Sequence, residues 1–129
     1  MNMALLELSC TINAPVAKVW QALTDAKVAE KWGAGPAKVN AEVGGEFSYW
    51  NGDIHGTFTK ILPGIQIVQD WYGHDNPEWK YNVIFMFEDN DGITYLRVLY
   101  SGNIVDSQRD TKDWQEYYFD PIKKLLEQS

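Results

Sequence analysis

Residues 111–128, TKDWQEYYFDPIKKLLEQ, decide the fold. Trp114, Tyr117, Tyr118, Pro121, Ile122 and Leu125 recur at steps of three and four, which lays one broad apolar stripe along a helix. Lys112, Asp113, Gln115, Glu116, Lys123, Lys124, Glu127 and Gln128 fall mostly on the other side. At 1.5 Å per residue such a helix is about 25 Å long, enough to cross a whole sheet. Asp110 or Thr111 is the expected cap. Three rings head the stripe, and the expectation is that they roof a pocket. Pro121 interrupts the pattern, because it has no N–H and crowds the carbonyl of Tyr117. A kink over a curved sheet is expected there, the alternative being a second segment capped by Asp120.

Nearly everything upstream reads as that sheet. Leu6, Leu8, Cys10 and Ile12 alternate with polar residues in a first strand. Pro15 opens a helix with a stripe of Val16, Val19, Trp20 and Leu23. Thr24 and Asp25 stop it and cap a second short helix, in which Val28, Ala29 and Trp32 face inward. From Ala37 onward the punctuation is that of an antiparallel meander. Phe47 and Tyr49 share one face before Asn51-Gly52, a strong hairpin signal. Ile54, Gly56 and Phe58 run to the turn at Pro63-Gly64, and Ile65, Ile67, Gln69 and Trp71 follow. Residues 79–88 are apolar on both faces near their middle, so this strand is expected to be central. Asn90-Asp91-Gly92 turns the chain into Thr94, Leu96, Val98 and Tyr100. Strand, two helices, meander and closing helix make an α+β domain with its helices on one face.

The totals bound the function. A chain of 129 residues is expected to form one domain over 1–129, burying about two thirds of its surface. The formal net charge of −7 repels phosphate backbones and anionic lipid, which argues against nucleic acid and membrane as partners. No basic segment followed by a long apolar run opens the chain, and no stretch approaches the length of a membrane span. A cytoplasmic location is the expectation. Cys10, the single cysteine, lies on the apolar parity of its strand and reads as a core thiol. His55 and His74 have no partner at metal-ligand spacing, so neither metal nor cofactor is expected. His74 beside Asp75 reads as a solvated turn pair. Neither a serine elbow nor a phosphate loop is present.

These motifs together resemble the activator of heat-shock protein 90 ATPase homologue family, within the START-like (SRPBCC) helix-grip superfamily. The resemblance rests on Ile12-Asn13-Ala14-Pro15 leading to Val19-Trp20-Gln21-Ala22-Leu23-Thr24-Asp25, then Lys31-Trp32-Gly33 and Gly44-Gly45-Glu46-Phe47. Gly56-Thr57-Phe58 with Ile61 and Pro63, Ile67-Val68 with Trp71, Ser101-Gly102, and Trp114 complete it. It implies a curved antiparallel sheet gripping the terminal helix, with a cavity between. It also implies the family's range of roles: binders of hydrophobic molecules, chaperone co-factors and some enzymes. Asn103, usually apolar in the family, and Pro121 depart from the pattern.

The candidate cavity wall is Trp32, Phe47, Tyr49, Phe58, Trp71, Phe85, Tyr100, Trp114, Tyr117 and Tyr118. Rings supply contact area, and their hydroxyl and indole N–H groups orient a guest. The competing reading is that the rings fill one another's space as core. The expected function is therefore non-enzymatic binding of a small hydrophobic or aromatic molecule, lipid-like or metabolite. One alternative is a chaperone partner whose ATPase the chain stimulates, as the resemblance implies. Another is a polyketide cyclase-like or hydrolase-like enzyme, whose polar cluster would come from His55, Asp70, Tyr49 or Tyr100. Glu46 and Asp70 are the candidate acid–base pair, and Arg97 is expected to pair across strands with one of the carboxylates Asp53, Glu88, Asp89 and Asp91. The chain is expected to be a monomer or a homodimer.

Overall fold

The structure, a computed structural model, describes residues 4–73, 80–102 and 105–128. Seven strands form one antiparallel sheet: β1 (Ala4–Ile12), β2 (Lys38–Val39), β3 (Glu46–Tyr49), β4 (Ile54–Leu62), β5 (Gln66–Gly73), β6 (Lys80–Asn90) and β7 (Ile93–Gly102). Their order is β1-β7-β6-β5-β4-β3-β2, so the meander is closed on one side by the amino-terminal strand. Two short helices, α1 (Val16–Thr24) and α2 (Ala26–Lys31), follow β1. The chain ends in α3 (Ser107–Trp114), a π-helical turn (Gln115–Phe119) and α4 (Asp120–Glu127). This is the helix-grip arrangement that the resemblance implies.

Period-two alternation places the core. Ile67, Gln69 and Trp71 of β5, Val83, Phe85 and Phe87 of β6, and Thr94, Leu96, Val98 and Tyr100 of β7 all point under the helices and are buried. β6 pairs on both sides, as its two apolar faces require. Asn90 pairs with Ile93, leaving Asp91 and Gly92 as a two-residue turn at φ 56° and 83°. Arg97 pairs across strands with Glu7 of β1 at 2.6 Å, outside the core, and not with one of the expected turn carboxylates.

The hairpin expected at Asn51-Gly52 is present, but its loop is longer. Tyr49 pairs with Ile54, and residues 50–53 form the turn. Trp50, Asn51 and Gly52 lie at φ 51°, 56° and 96°. Positive φ on a tryptophan is an outlier. Hydrogen bonds hold it: Trp50 N donates to Ala34 O and its Nε1 to Gly33 O, both at 2.8 Å.

Pro15 caps α1 rather than opening it, being extended at ψ 154°. Asp25 ends α1 and caps α2, its carboxylate accepting from Lys27 N at 2.9 Å. The terminal helix starts four residues earlier than expected. Asp106 caps it, accepting from Arg109 N at 3.0 Å, while Asp110 Oδ2 accepts from Asp106 N at 3.0 Å.

Pro121 neither breaks the helix nor begins a newly capped one, since Asp120 is itself helical at φ −62°, ψ −47°. The preceding turn widens instead, and Asp120 N–H reaches back to Gln115 O. The extra residue in that turn rotates everything after it. Tyr118 and Phe119 are both buried, the inward face passes to Ile122 and Leu126, and Tyr117 is left 55% exposed. That is why the stripe read through Tyr117 and Leu125 is displaced by one position. Lys123 Nζ donates to Thr11 O, and Asn13 N donates to Glu127 Oε2 at 2.8 Å, tying α4 to the end of β1.

Candidate functional site

Beneath the terminal helix the rings fall into two groups. Trp32, Phe47, Tyr49, Phe58 and Phe85 are solid core, each at most 4% exposed. Phe47 packs edge-on against Phe58 at 5.5 Å, and Trp32 against Tyr49 at 5.9 Å. Their polar tips are spent within the fold. Trp32 Nε1 donates to Ala22 O at 2.8 Å and Tyr49 Oη to Leu23 O at 3.1 Å, covering carbonyls near the end of α1. Trp71, Tyr100, Trp114, Tyr117 and Tyr118 instead line a pocket of about 420 Å³, open on one side. That volume lies within the range of small-molecule sites, about 300–1,000 Å³.

The other five lining residues are Trp50, Asp53, Ile54, Asp110 and Asp113. Six of the ten walls are aromatic and three are carboxylates. Trp71 is the floor: it stacks on Trp114 (5.4 Å, 18°) and on Tyr118 (5.8 Å, 21°). Trp50 stands nearly perpendicular to Tyr118 (80°) and Tyr117 (77°) and forms a side wall. Tyr100 stacks on Tyr81 at 4.9 Å and closes the end beside β6. The pocket sits only under the amino-terminal half of the helix. Phe119, Ile122 and Leu126 plug the other half against the core.

Strand parity could not point to Trp50 or Asp53, because both belong to a turn read as shorter. The sequence marks Asp110 only as a cap; it is 7% exposed and lines the pocket.

Two buried polar atoms have no partner among the described residues, Gln69 Nε2 and the Tyr118 hydroxyl. Trp71 Nε1 donates to Gln69 Oε1 at 2.8 Å, which turns the glutamine's amino group away unpaired. Tyr118 lies on the pocket wall with an idle hydroxyl. Because an unpaired buried hydroxyl costs free energy, Tyr118→Phe should leave stability unchanged or raise it by about 1 kcal/mol. Urea unfolding checks this, and a loss above about 1 kcal/mol would show that the hydroxyl has a partner.

Burial pushes Tyr49, Tyr100 and Tyr118 above the ordinary tyrosine value; at Tyr100 the neighbouring Tyr81 and Asp110 add to it. Raised phenols leave stability intact below the unfolded value, near pH 10, and remove it as pH climbs beyond that. The expected alkaline titration therefore has a late phase of phenolate absorbance that coincides with loss of near-ultraviolet circular dichroism. Burial likewise lifts the Cys10 thiol to about 11, against the opposing pull of Lys123, so it is a poor nucleophile at neutral pH.

Of the four candidate polar residues His55, Asp70, Tyr49 and Tyr100, Tyr100 alone is among the described lining residues. His55 and Asp70 lie on the outer face, where His55 Nδ1 is 3.2 Å from Gly52 O and Asp70 Oδ1 accepts from Asn82 Nδ2 at 3.2 Å. Thr57 stands between Glu46 and Asp70 in the register, so these carboxylates are two strands, roughly 10 Å, apart. Neither residue lines the pocket under the terminal helix. His74, Asp75, Trp79 and Asn103 lie outside the described residues. Among the described residues no group of three His, Cys, Asp or Glu side chains is placed to hold a metal ion. Among the described residues no helix is long and apolar enough to cross a membrane.

Known proteins are similar to this chain. The mouse "Activator of 90 kDa heat shock protein ATPase homolog 2" is 28% identical over 124 residues, 95% of this chain and 38% of the relative. Human "Activator of 90 kDa heat shock protein ATPase homolog 1" is 29% identical over 111 residues, 84% of this chain and 33% of the relative. This chain thus spans little more than a third of the curated relatives it matches. The crystal structure of an HSP90 activator from Plasmodium falciparum superposes with a TM-score of 0.83 at 25% identity, covering 95% of both chains. The profile of the family described as "Activator of Hsp90 ATPase homolog 1-like protein" matches residues 13–127, and the chain belongs to that family.

Proposed function

We propose that the chain is a binding module that holds a small hydrophobic or aromatic molecule in the pocket between its sheet and terminal helix. One observation carries this: a ring-lined space of about 420 Å³ stays open where the rest of the interface is packed tight. A well-packed core closes gaps of that size. Burying apolar ligand surface at about 25 cal/mol per Å² holds a guest without covalent chemistry. The ligand is retained by Trp71, Trp114 and Tyr118, and Trp50 and Tyr117 close over it. A thermal-shift screen of aromatic metabolites, sterols and fatty acids tests this. A true ligand at a hundredfold excess over Kd raises the melting temperature by on the order of 10 °C. A flat response across the panel retires the reading.

A second reading is favoured by the relatives' names and by the Plasmodium falciparum structure. In it the chain binds a heat-shock protein 90 type chaperone and stimulates its ATPase. The steady-state ATP turnover of such a chaperone, with the chain in excess, decides it: unchanged turnover sinks this reading and leaves the pocket untouched.

A further inference from the structure

We propose that the pocket selects an organic cation: a compound with an aromatic or aliphatic body and a protonated amine. This rests on the small-molecule reading above and names the chemistry of the guest.

The wall composition is one-sided. Among the described residues, none of the ten that line it is Lys, Arg or His, whereas Asp53, Asp110 and Asp113 are carboxylates. Asp110 is engaged, accepting from Asp106 N at 3.0 Å and lying 3.3 Å from Arg109 Nε. Asp53 and Asp113 have no ion-pair partner among the described residues and face solvent at the rim. Behind this rim the ring faces come from more than one direction. Trp71 lies within about 20° of parallel to Trp114 and Tyr118, while Trp50 stands at 80° to Tyr118. A cation inside such a cage meets the negative face of several rings at once.

An anionic guest would instead meet three carboxylates and, among the described residues, no basic side chain in the lining. The chain's net charge of −7 also draws cations toward the mouth.

Three probes of one shape separate the possibilities: phenethylammonium, 2-phenylethanol and 3-phenylpropanoate, titrated into 15N-labelled protein. The expected result is shifts at the Trp50, Trp71 and Trp114 indole N–H signals, with phenethylammonium binding at least about tenfold more tightly than the alcohol. The carboxylate should bind weakest. Added salt and the variant Asp53→Asn/Asp113→Asn, which alters only exposed residues, should both shrink the cation's advantage over the alcohol. If alcohol and cation bind alike, the charge preference is overturned and the apolar pocket stands. If no probe moves those indole signals, the small-molecule reading itself falls.

Discussion

Trp114→Ala should cost about 3–5 kcal/mol of stability, the range for truncating a fully packed tryptophan. Trp114 is 4% exposed and touches five other rings. It lies 4.4 Å from Tyr118, 5.4 Å from Trp71, and 5.8 Å from each of Phe85, Tyr100 and Phe119. Those rings belong to β5, β6, β7 and the π-helical turn, so one side chain joins three strands to the gripping helix. They also brace one another, which limits how far the site can collapse after truncation. The new void therefore adds to the existing pocket, and the cavity term adds to the lost burial. Trp114→Phe keeps a ring in place and should cost less. Urea denaturation gives both values. A loss below about 1.5 kcal/mol for the alanine variant would mean that the rings close over the gap, and that the pocket beside them is as deformable as that void.

The same residue shows how far the sequence could be read. The step-of-three-and-four pattern places Trp114 on the inward stripe, and strand parity places Trp71, Phe85 and Tyr100 on the face that meets it. Parity reports the face a side chain takes. It does not report whether its neighbours fill the space, and this is why Phe47 and Phe58 became core while Trp71 and Tyr100 border a pocket. The π-helical turn was hidden for a related reason. A pattern read at 3.6 residues per turn has no place for an extra residue, and Pro121 gave the only hint of one. Past that point Leu126 replaces Leu125 as the buried leucine and Tyr117 swings to the rim. Trp50 was harder still. Its place on the wall depends on a positive φ that its residue type disfavours, sustained by carbonyls of Gly33 and Ala34 from a distant loop. The three acidic groups around the mouth look, in sequence, like ordinary surface charge.

Gly56→Ala should destabilise the fold by about 3 kcal/mol or more, at the upper end of overpacking. Gly56 is buried in β4 opposite Trp71. A Cβ added there would sit 1.8 Å from Asp70 O, 2.8 Å from Asp70 C and 3.1 Å from Trp71 Cα. All three are backbone atoms of the neighbouring strand, so no rotamer change relieves the clash. Either β4 separates from β5 or the strand twists away. Two residues further on, the pairing slips between Phe58 and Lys60, and such a bulge bends the strand that carries it. A glycine beside a bulge lets the two backbones approach where the sheet curls, and the curl brings Trp71 beneath the helix. The loss should therefore reach the pocket as well as the fold, with weaker binding of any guest even under conditions where the variant stays folded. Gly64 is the control. It lies in the turn at φ 76° with open space around its would-be Cβ, so Gly64→Ala meets only backbone strain, about 1 kcal/mol. Equal losses at the two positions in urea titrations would show that backbone freedom, and not the close approach of β4 to β5, is what Gly56 provides.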